Sequence, residues 1–186
     1  MPIEDIYNIV VLVDAANEMI ARFFGVGSTF DIIICKGSWD MEVQVISRER
    51  SVRSYRDGEG LVGLTDYELR EIIIRSDKAK FIHYVHELVH GIISQAHSHQ
   101  LREALAWYFT LKLLEPHDDL KKAPYPPWVD SIYISRVRKL AEIVGDEFLK
   151  EFALGKRPLD NLDCYPEEVR QLFMPEELFY AAVRRS

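Results

Sequence analysis

The feature that most constrains the fold is the stretch FIHYVHELVHG, Phe81 to Gly91, which places three histidines and a glutamate in an otherwise apolar segment. Apolar residues recur at helical spacing from 81 to 95 and cover more than half of the circumference of a helix. Such a helix is predicted to be deeply buried. Imidazole and carboxylate groups on a buried helix need partners, because an unpaired buried polar group costs several kcal/mol.

His86 and His90 are one helical turn apart on the same face, about 6 Å along the axis. Their nitrogens can converge on one tetrahedral cation at about 2.0 to 2.1 Å. Glu87 projects about 100° away around the helix, so it is placed to act on water beside the metal rather than as a ligand. The alternative is a core helix that matches HExxH by chance, but burial of all three groups favours a metal site.

A catalytic zinc usually takes three protein ligands, so a third is expected after the histidine pair. Residues 101–114 predict a second largely apolar helix, and residues 97–100 read as a short connection to it. If the two helices form a hairpin, Glu103 returns beside the histidines and is the predicted third ligand. His97 and His99 are the alternatives, but both would require a sharp reversal of the chain where no glycine is present.

His83 lies seven residues before His90 and faces the same way, a turn further out. It is either a structural histidine at the rim of a cleft, with its hydrogen bonds made locally, or a residue that binds substrate. We keep His83 as a candidate substrate-binding residue.

The rest of the chain predicts an α+β fold, because a helix is followed by three or four strands and then by a run of helices. The first helix covers 3–24. Segments rich in β-branched residues predict strands at 31–35, 41–49 and 68–76, and glycines at 58, 60 and 63 indicate a turn and a short strand with an open edge. The later helices are expected at 101–114, 129–144, 146–153 and, in pieces around Pro175, 167–183.

Composition limits the classes of function. The chain has 186 residues, 48% hydrophobic residues and a net charge of −7 without a dense basic block, which argues against nucleic acid as a partner. Its apolar runs are too short and interrupted for a membrane span, and its acidic N-terminus is unlike a signal peptide. We therefore expect a cytoplasmic protein with no membrane partner, and with Cys35 and Cys164 as reduced thiols.

HELVH, together with Glu103 in REALAWYF, resembles the gluzincins, which are HExxH zinc metallopeptidases whose third ligand is a glutamate on the following helix. The short chain is most similar to the minimal gluzincins, or minigluzincins. The resemblance covers about residues 60 to 114. It implies a zincin-like fold with an active-site helix and a glutamate helix. We expect residues 1–117 to be the metallopeptidase core and, on composition, residues 118–186 to be a helical C-terminal extension packed on the same core.

The resemblance also implies a cofactor, a substrate and roles for single residues. Zn²⁺ would be bound by His86, His90 and Glu103, and Glu87 would be the general base that activates a zinc-bound water. The substrate would be a peptide or protein that pairs, as an added strand, with an edge that covers Leu61, Val62, Gly63 and Leu64.

The chain departs from the gluzincin pattern in two places. Trp107 stands where many gluzincins have a carboxylate that orients a histidine ligand. No motif identifies the residue that stabilises the oxyanion, for which the candidates are Tyr108, His117, Tyr125 and Tyr133.

Two other functions remain open on the sequence. One is a zinc-binding scaffold or regulatory protein without catalysis. The other is a latent peptidase whose cleft is covered by the C-terminal segment, with Cys164 as a fourth ligand. Nothing in the sequence fixes the oligomeric state.

Overall fold

The computed structural model describes residues 3–47, 62–117 and 129–183, and these form helices and a small three-stranded sheet. The predicted α+β class is confirmed. The strands are β1 (Asp31–Cys35), β2 (Gly63–Asp66) and β3 (Glu71–Arg75). The α-helices are α1 (Ile3–Phe24), α2 (Ser38–Ser47), α3 (Phe81–His90), α4 (His99–Leu114), α5 (Ser135–Val144), α6 (Asp146–Ala153), α7 (Glu167–Gln171) and α8 (Glu176–Val183).

The chain divides into two compact units, residues 1–91 and 92–186. This boundary falls at the end of α3. The division into a core at 1–117 and an extension at 118–186 stays a prediction. The first unit contains the sheet with α1, α2 and α3, and the second contains helices α4 to α8.

In the first unit, β3 is the central strand, parallel to β1 and antiparallel to β2. Its three isoleucines, Ile72, Ile73 and Ile74, are completely buried. Because successive side chains of a strand point to opposite faces, both faces of β3 must be covered. Ile73 packs with Cys35 and with Met41 of α2. Helix α3 contacts β2 and β3, and α1 contacts α3.

The prediction of a strand at 41–49 was wrong, because the described part of this segment belongs to helix α2. Met41 and Val45, four residues apart, are buried, whereas Glu42 and Val43 between them are exposed. The apparent alternation of apolar and polar residues thus conceals a helical stripe. The Asp40 carboxylate accepts the backbone N–H of Lys36 at 2.9 Å, which stabilises the turn that starts the helix.

Helix α3 ends at His90 rather than at 95, and α4 begins at His99. Gly91 follows α3 in close contact with Ser28, since a Cβ at residue 91 would lie 2.2 Å from the Ser28 Oγ. Beyond it the chain forms turns, and the Ser94 N–H bonds to the carbonyl of Ala153 at 2.8 Å. The helix therefore stops where the backbone finds partners outside α3.

In the second unit, α5 lies against α4, α6 and α7. A turn of π-helix, Asp130–Ile134, leads into α5, and a short 3₁₀ turn, Leu162–Cys164, precedes α7. The helices predicted at 129–144, 146–153 and 167–183 are confirmed, with the break at Pro175. The completely buried apolar side chains of this unit include Leu105, Phe109, Val137, Leu140, Leu149 and Phe179.

The connection between α3 and α4 is fastened to the C-terminal half of the chain. The last carbonyls of a helix have no partners within the helix. Here, carbonyls at or after the ends of α6 and α7 accept hydrogen bonds from the α3–α4 connection and from the first turn of α4. The pairs are Ser94 N–H with Ala153, His97 Nε2 with Phe152, Ser98 Oγ with Leu172 and Gln100 Nε2 with Met174. The ends of α6 and α7 are thus part of the packing around the start of α4.

Two further expectations concern membranes and thiols. Within the described ranges, no helix combines the length and apolarity that a membrane crossing requires. Cys35 is buried and Cys164 is exposed, and both are free thiols. The Cys164 sulfur accepts a hydrogen bond from Asn161 Nδ2 at 3.1 Å.

Candidate metal centre

Helix α3 brings the side chains of His86 and His90 together, as their spacing predicts. Both are buried, and their Nε2 atoms lie 3.2 Å apart with the rings nearly perpendicular. Two ligands of a tetrahedral zinc, each about 2.0 to 2.1 Å from the metal, are separated by roughly 3.3 to 3.4 Å. The two nitrogens are therefore spaced for a single cation.

Glu103 lies in the second turn of α4. One nitrogen each of His86 and His90 and a carboxylate oxygen of Glu103 lie within 4.8 Å of one another, the one potential metal-ligating group in the described parts of the chain. Two imidazoles and a carboxylate are a donor set that suits zinc. The two alternative ligands lie in other surroundings. His97 Nε2 bonds to the Phe152 carbonyl at 2.8 Å, and His99 is exposed.

Tyr67, which the sequence did not single out, holds the ring of His90. Its hydroxyl lies 2.8 Å from His90 Nδ1, and the two rings meet edge to face. When Nδ1 carries the proton and donates it to the tyrosine oxygen, the Nε2 lone pair is available beside His86. Such a partner on the second nitrogen fixes the tautomer and orientation of a ligating histidine. Tyr67 thus fixes the orientation of the His90 ring.

The position of Tyr67 depends on the turn between β2 and β3. The buried carboxylate of Asp66 accepts the backbone N–H groups of Glu68 and Leu69 at 3.0 and 3.2 Å, which fixes the turn. Arg70 completes it with a φ of 56°. The hydroxyl of Tyr67 is therefore held by a fixed backbone.

Glu87 lies against strand β2. Its carboxylate oxygen Oε2 accepts a hydrogen bond of 2.8 Å from the Thr65 hydroxyl. A Cβ at Gly63 would lie only 2.4 Å from Oε1 of Glu87, so residue 63 must be a glycine for this approach. The buried carboxylate is thus fixed by a donor and by close packing. Thr65 is the second residue of the site that sequence reasoning missed.

Strand β2 is at the edge of the sheet. The Arg75 N–H bonds to the Val62 carbonyl. In this antiparallel register, the backbone N–H and C=O groups of Leu64 and Asp66 therefore also point toward β3. The N–H and C=O groups of Gly63 and Thr65 then point away from β3. In the described part of the chain no strand pairs with this outer edge.

The predicted substrate edge therefore has three residues with a known position. The backbone of Val62 and Leu64 is turned toward β3, and the Leu64 side chain packs against the cluster of Cys35, Met41 and Ile73. Gly63 offers its backbone groups at the open edge, and Leu61 lies outside the described residues.

His83 lies at the start of α3, where its Nδ1 accepts the backbone N–H of Lys80 at 2.9 Å. Burial lowers the pKa of His83, because it disfavours the charged imidazolium. The neutral ring thus satisfies one of the N–H groups left open at the helix N-terminus. Its role in substrate binding stays a prediction.

The candidates for the oxyanion residue lie in different surroundings. The hydroxyl of Tyr108 donates to Asp146 at 2.8 Å, and its pKa is raised, first by burial and then by this carboxylate. Tyr133 is buried and shares a hydrogen bond with Tyr180 at 2.9 Å. His117 is exposed, and Tyr125 lies outside the described residues.

Comparison of the chain with protein-family models, with curated proteins and with solved structures found no match.

The lowered pKa of His83 predicts a stability that depends on pH. The ordinary pKa of histidine is 6.5, so below this pH the unfolded chain takes up a proton that folded His83 resists. The stabilisation is complete above about pH 6.5 and is lost as the pH falls toward the folded-state pKa. Between pH 7 and 5, the free energy of unfolding should fall more for the wild type than for His83→Asn, whose amide can accept the same N–H. The free energies are measured by urea denaturation at each pH, and an equal fall in both proteins would contradict this prediction.

The contact between Gly63 and Glu87 predicts that Gly63→Ala is destabilising. The new methyl group would displace a buried carboxylate, so the free energy of unfolding should fall by about 1 to 3 kcal/mol in denaturant titration. Gly37→Ala is the matched control, because a Cβ there meets no atom within 4 Å, and its effect should stay within about 0.5 kcal/mol. Equal stability of the two variants would refute the close approach.

Proposed function

We propose that the protein is a zinc-dependent metallopeptidase of the gluzincin type with a zincin-like fold. In this proposal His86, His90 and Glu103 hold the metal and Glu87 is the general base. The observation that carries it is the arrangement around α3. Two imidazole nitrogens lie 3.2 Å apart, and the intervening carboxylate is fixed against an edge strand.

A zinc ion bound by these donors would supply a Lewis acid that lowers the pKa of a coordinated water to about 7. Glu87 takes the proton from the attacking water and then delivers it to the leaving amine of the peptide. Thr65 keeps the Glu87 carboxylate in one orientation through its hydroxyl, and Gly63 lets it lie on the strand.

The number and burial of the donors favour catalysis over a purely structural zinc site. Structural zinc sites are closed by four protein ligands, whereas catalytic sites have three and an open position. The group among the described residues has three donors. In this proposal the fixed, buried carboxylate of Glu87 serves as the base, a group that a structural zinc site does not require.

The substrate in this proposal is a peptide or protein segment in extended conformation. The outward N–H and C=O groups of Gly63 and Thr65 offer the hydrogen bonds that an added strand needs. Because Thr65 also holds Glu87, a segment paired here would lie beside the general base. Leu61 lies outside the described residues, and His83 remains a candidate contact.

The proposal predicts that Tyr67→Phe weakens zinc binding. Loss of the hydrogen bond to His90 Nδ1 should raise the zinc dissociation constant about 10- to 100-fold in competition titrations with a chromophoric chelator. Tyr180→Phe is the control, because it removes a hydroxyl that bonds to Tyr133 instead. Identical affinities for all three proteins would exclude a role of Tyr67 in the metal site.

The role of Glu87 predicts that Glu87→Gln separates catalysis from metal binding. With zinc loaded, kcat/KM on a fluorogenic peptide library should fall at least about 100-fold, because the amide cannot accept the proton. Bound zinc should stay at one per chain. Glu42→Gln, on the exposed face of α2, should retain full activity. A fully active Glu87→Gln protein, or a zinc-loaded wild type that cleaves no peptide, would contradict the proposed function.

A further inference from the structure

The second unit contains a cavity of about 350 Å³. It lies between the α3–α4 connection, the end of α6 and the loop that follows α6, with Phe173 on another side. Small-molecule sites in proteins have volumes of about 300 to 1,000 Å³. The cavity is therefore large enough for a small ligand, and it contains none of the residues of the proposed metal site.

Most of the wall of this cavity is apolar. The ring of Phe152 lies 4.5 Å from that of His97 and 6.1 Å from that of Phe173, measured between centroids. Leu159 and Leu162 add aliphatic surface. An aromatic or aliphatic group of modest size would find contacts here, as in most small-molecule sites.

Of the described residues that line the cavity, only Arg157 carries a charge at neutral pH. Its guanidinium stacks on Phe148 at 4.3 Å and lies 3.6 Å from the Glu151 carboxylate. Both partners of that ion pair are more than half exposed, so their attraction is weak. A stacked guanidinium with five N–H donors is suited to bind a further carboxylate.

His97 does not add a second positive charge. Its Nε2 donates to the carbonyl of Phe152, and burial lowers its pKa, so the ring is neutral at pH 7. The polar part of the cavity thus combines one cation with a neutral imidazole and the hydroxyl of Ser94. This set matches a ligand with a single negative charge.

We infer that this cavity, the Arg157 pocket, binds a small monocarboxylic acid whose aromatic or aliphatic body lies against Phe152 and Phe173 and whose carboxylate pairs with Arg157. The inference is independent of the proposed peptidase activity. A neutral apolar ligand is the competing occupant, and it differs in having no need for Arg157.

The test uses 4-phenylbutyrate and its neutral analogue 4-phenylbutanol as probes, with the full chain and calorimetric titration. The acid should bind the wild type about tenfold more tightly than the alcohol, because a charge-assisted hydrogen bond is stronger than a neutral one. Arg157→Gln should lose most of this preference. Arg138→Gln is the matched control, since Arg138 is equally exposed (57%) and has an acidic partner, Asp130, at 3.9 Å.

The location of the probe is checked with backbone amide shifts, which should change at Ala96, His97 and Gly155. Ala96→Phe adds a ring at an exposed alanine of the cavity wall and should block both probes without unfolding the protein. Equal binding of acid and alcohol, equal losses in both arginine variants, or no binding at millimolar probe would each overturn the inference.

Discussion

Strand β2 passes so close to helix α3 that residue 63 has no room for a side chain, and the geometry of the candidate site depends on this approach. The Glu87 carboxylate lies on Gly63. Thr65, two residues on, bonds to the same carboxylate, and Tyr67, two further on, bonds to His90. Gly63 and Thr65 belong to β2, and Tyr67 is the first residue of the turn that follows. Alternate residues of one short segment can therefore serve successive positions of the helix.

This dependence explains which parts of the site the sequence could predict. His86, Glu87 and His90 follow from spacing within a single helix, because helical geometry fixes their relative directions. Thr65 belongs to β2 and Tyr67 to the turn that follows it, so both depend on how this hairpin lies against α3. The Asp66 turn fixes the pairing of β2 with β3, but no local pattern in the sequence places this hairpin against α3. Their hydrogen bonds to Glu87 and His90 depend on long-range packing between the hairpin and the helix.

The fold shows the same division between local and long-range information. Long helices with clear periodicity, such as α1 and α4, were predicted nearly to their ends. The segment of α2 was misread, because its short alternating pattern fits both a strand and a helix until burial of Met41 and Val45 distinguishes them. The contacts of residues 94–100 are long-range as well, because the carbonyls that hold them belong to residues 152–174. The C-terminal helices thus stabilise the start of α4, where Glu103 lies.

The central claim is that His86, His90 and Glu103 bind one zinc ion while β2 holds Glu87 apart from the metal ligands. X-ray absorption spectroscopy at the zinc edge, on protein loaded with one equivalent of zinc, tests it most directly. The account predicts imidazole nitrogens at about 2.0 to 2.1 Å, oxygen ligands at about 2.0 to 2.2 Å and no sulfur. A sulfur shell at about 2.3 Å, or a spectrum without imidazole scattering, would contradict it.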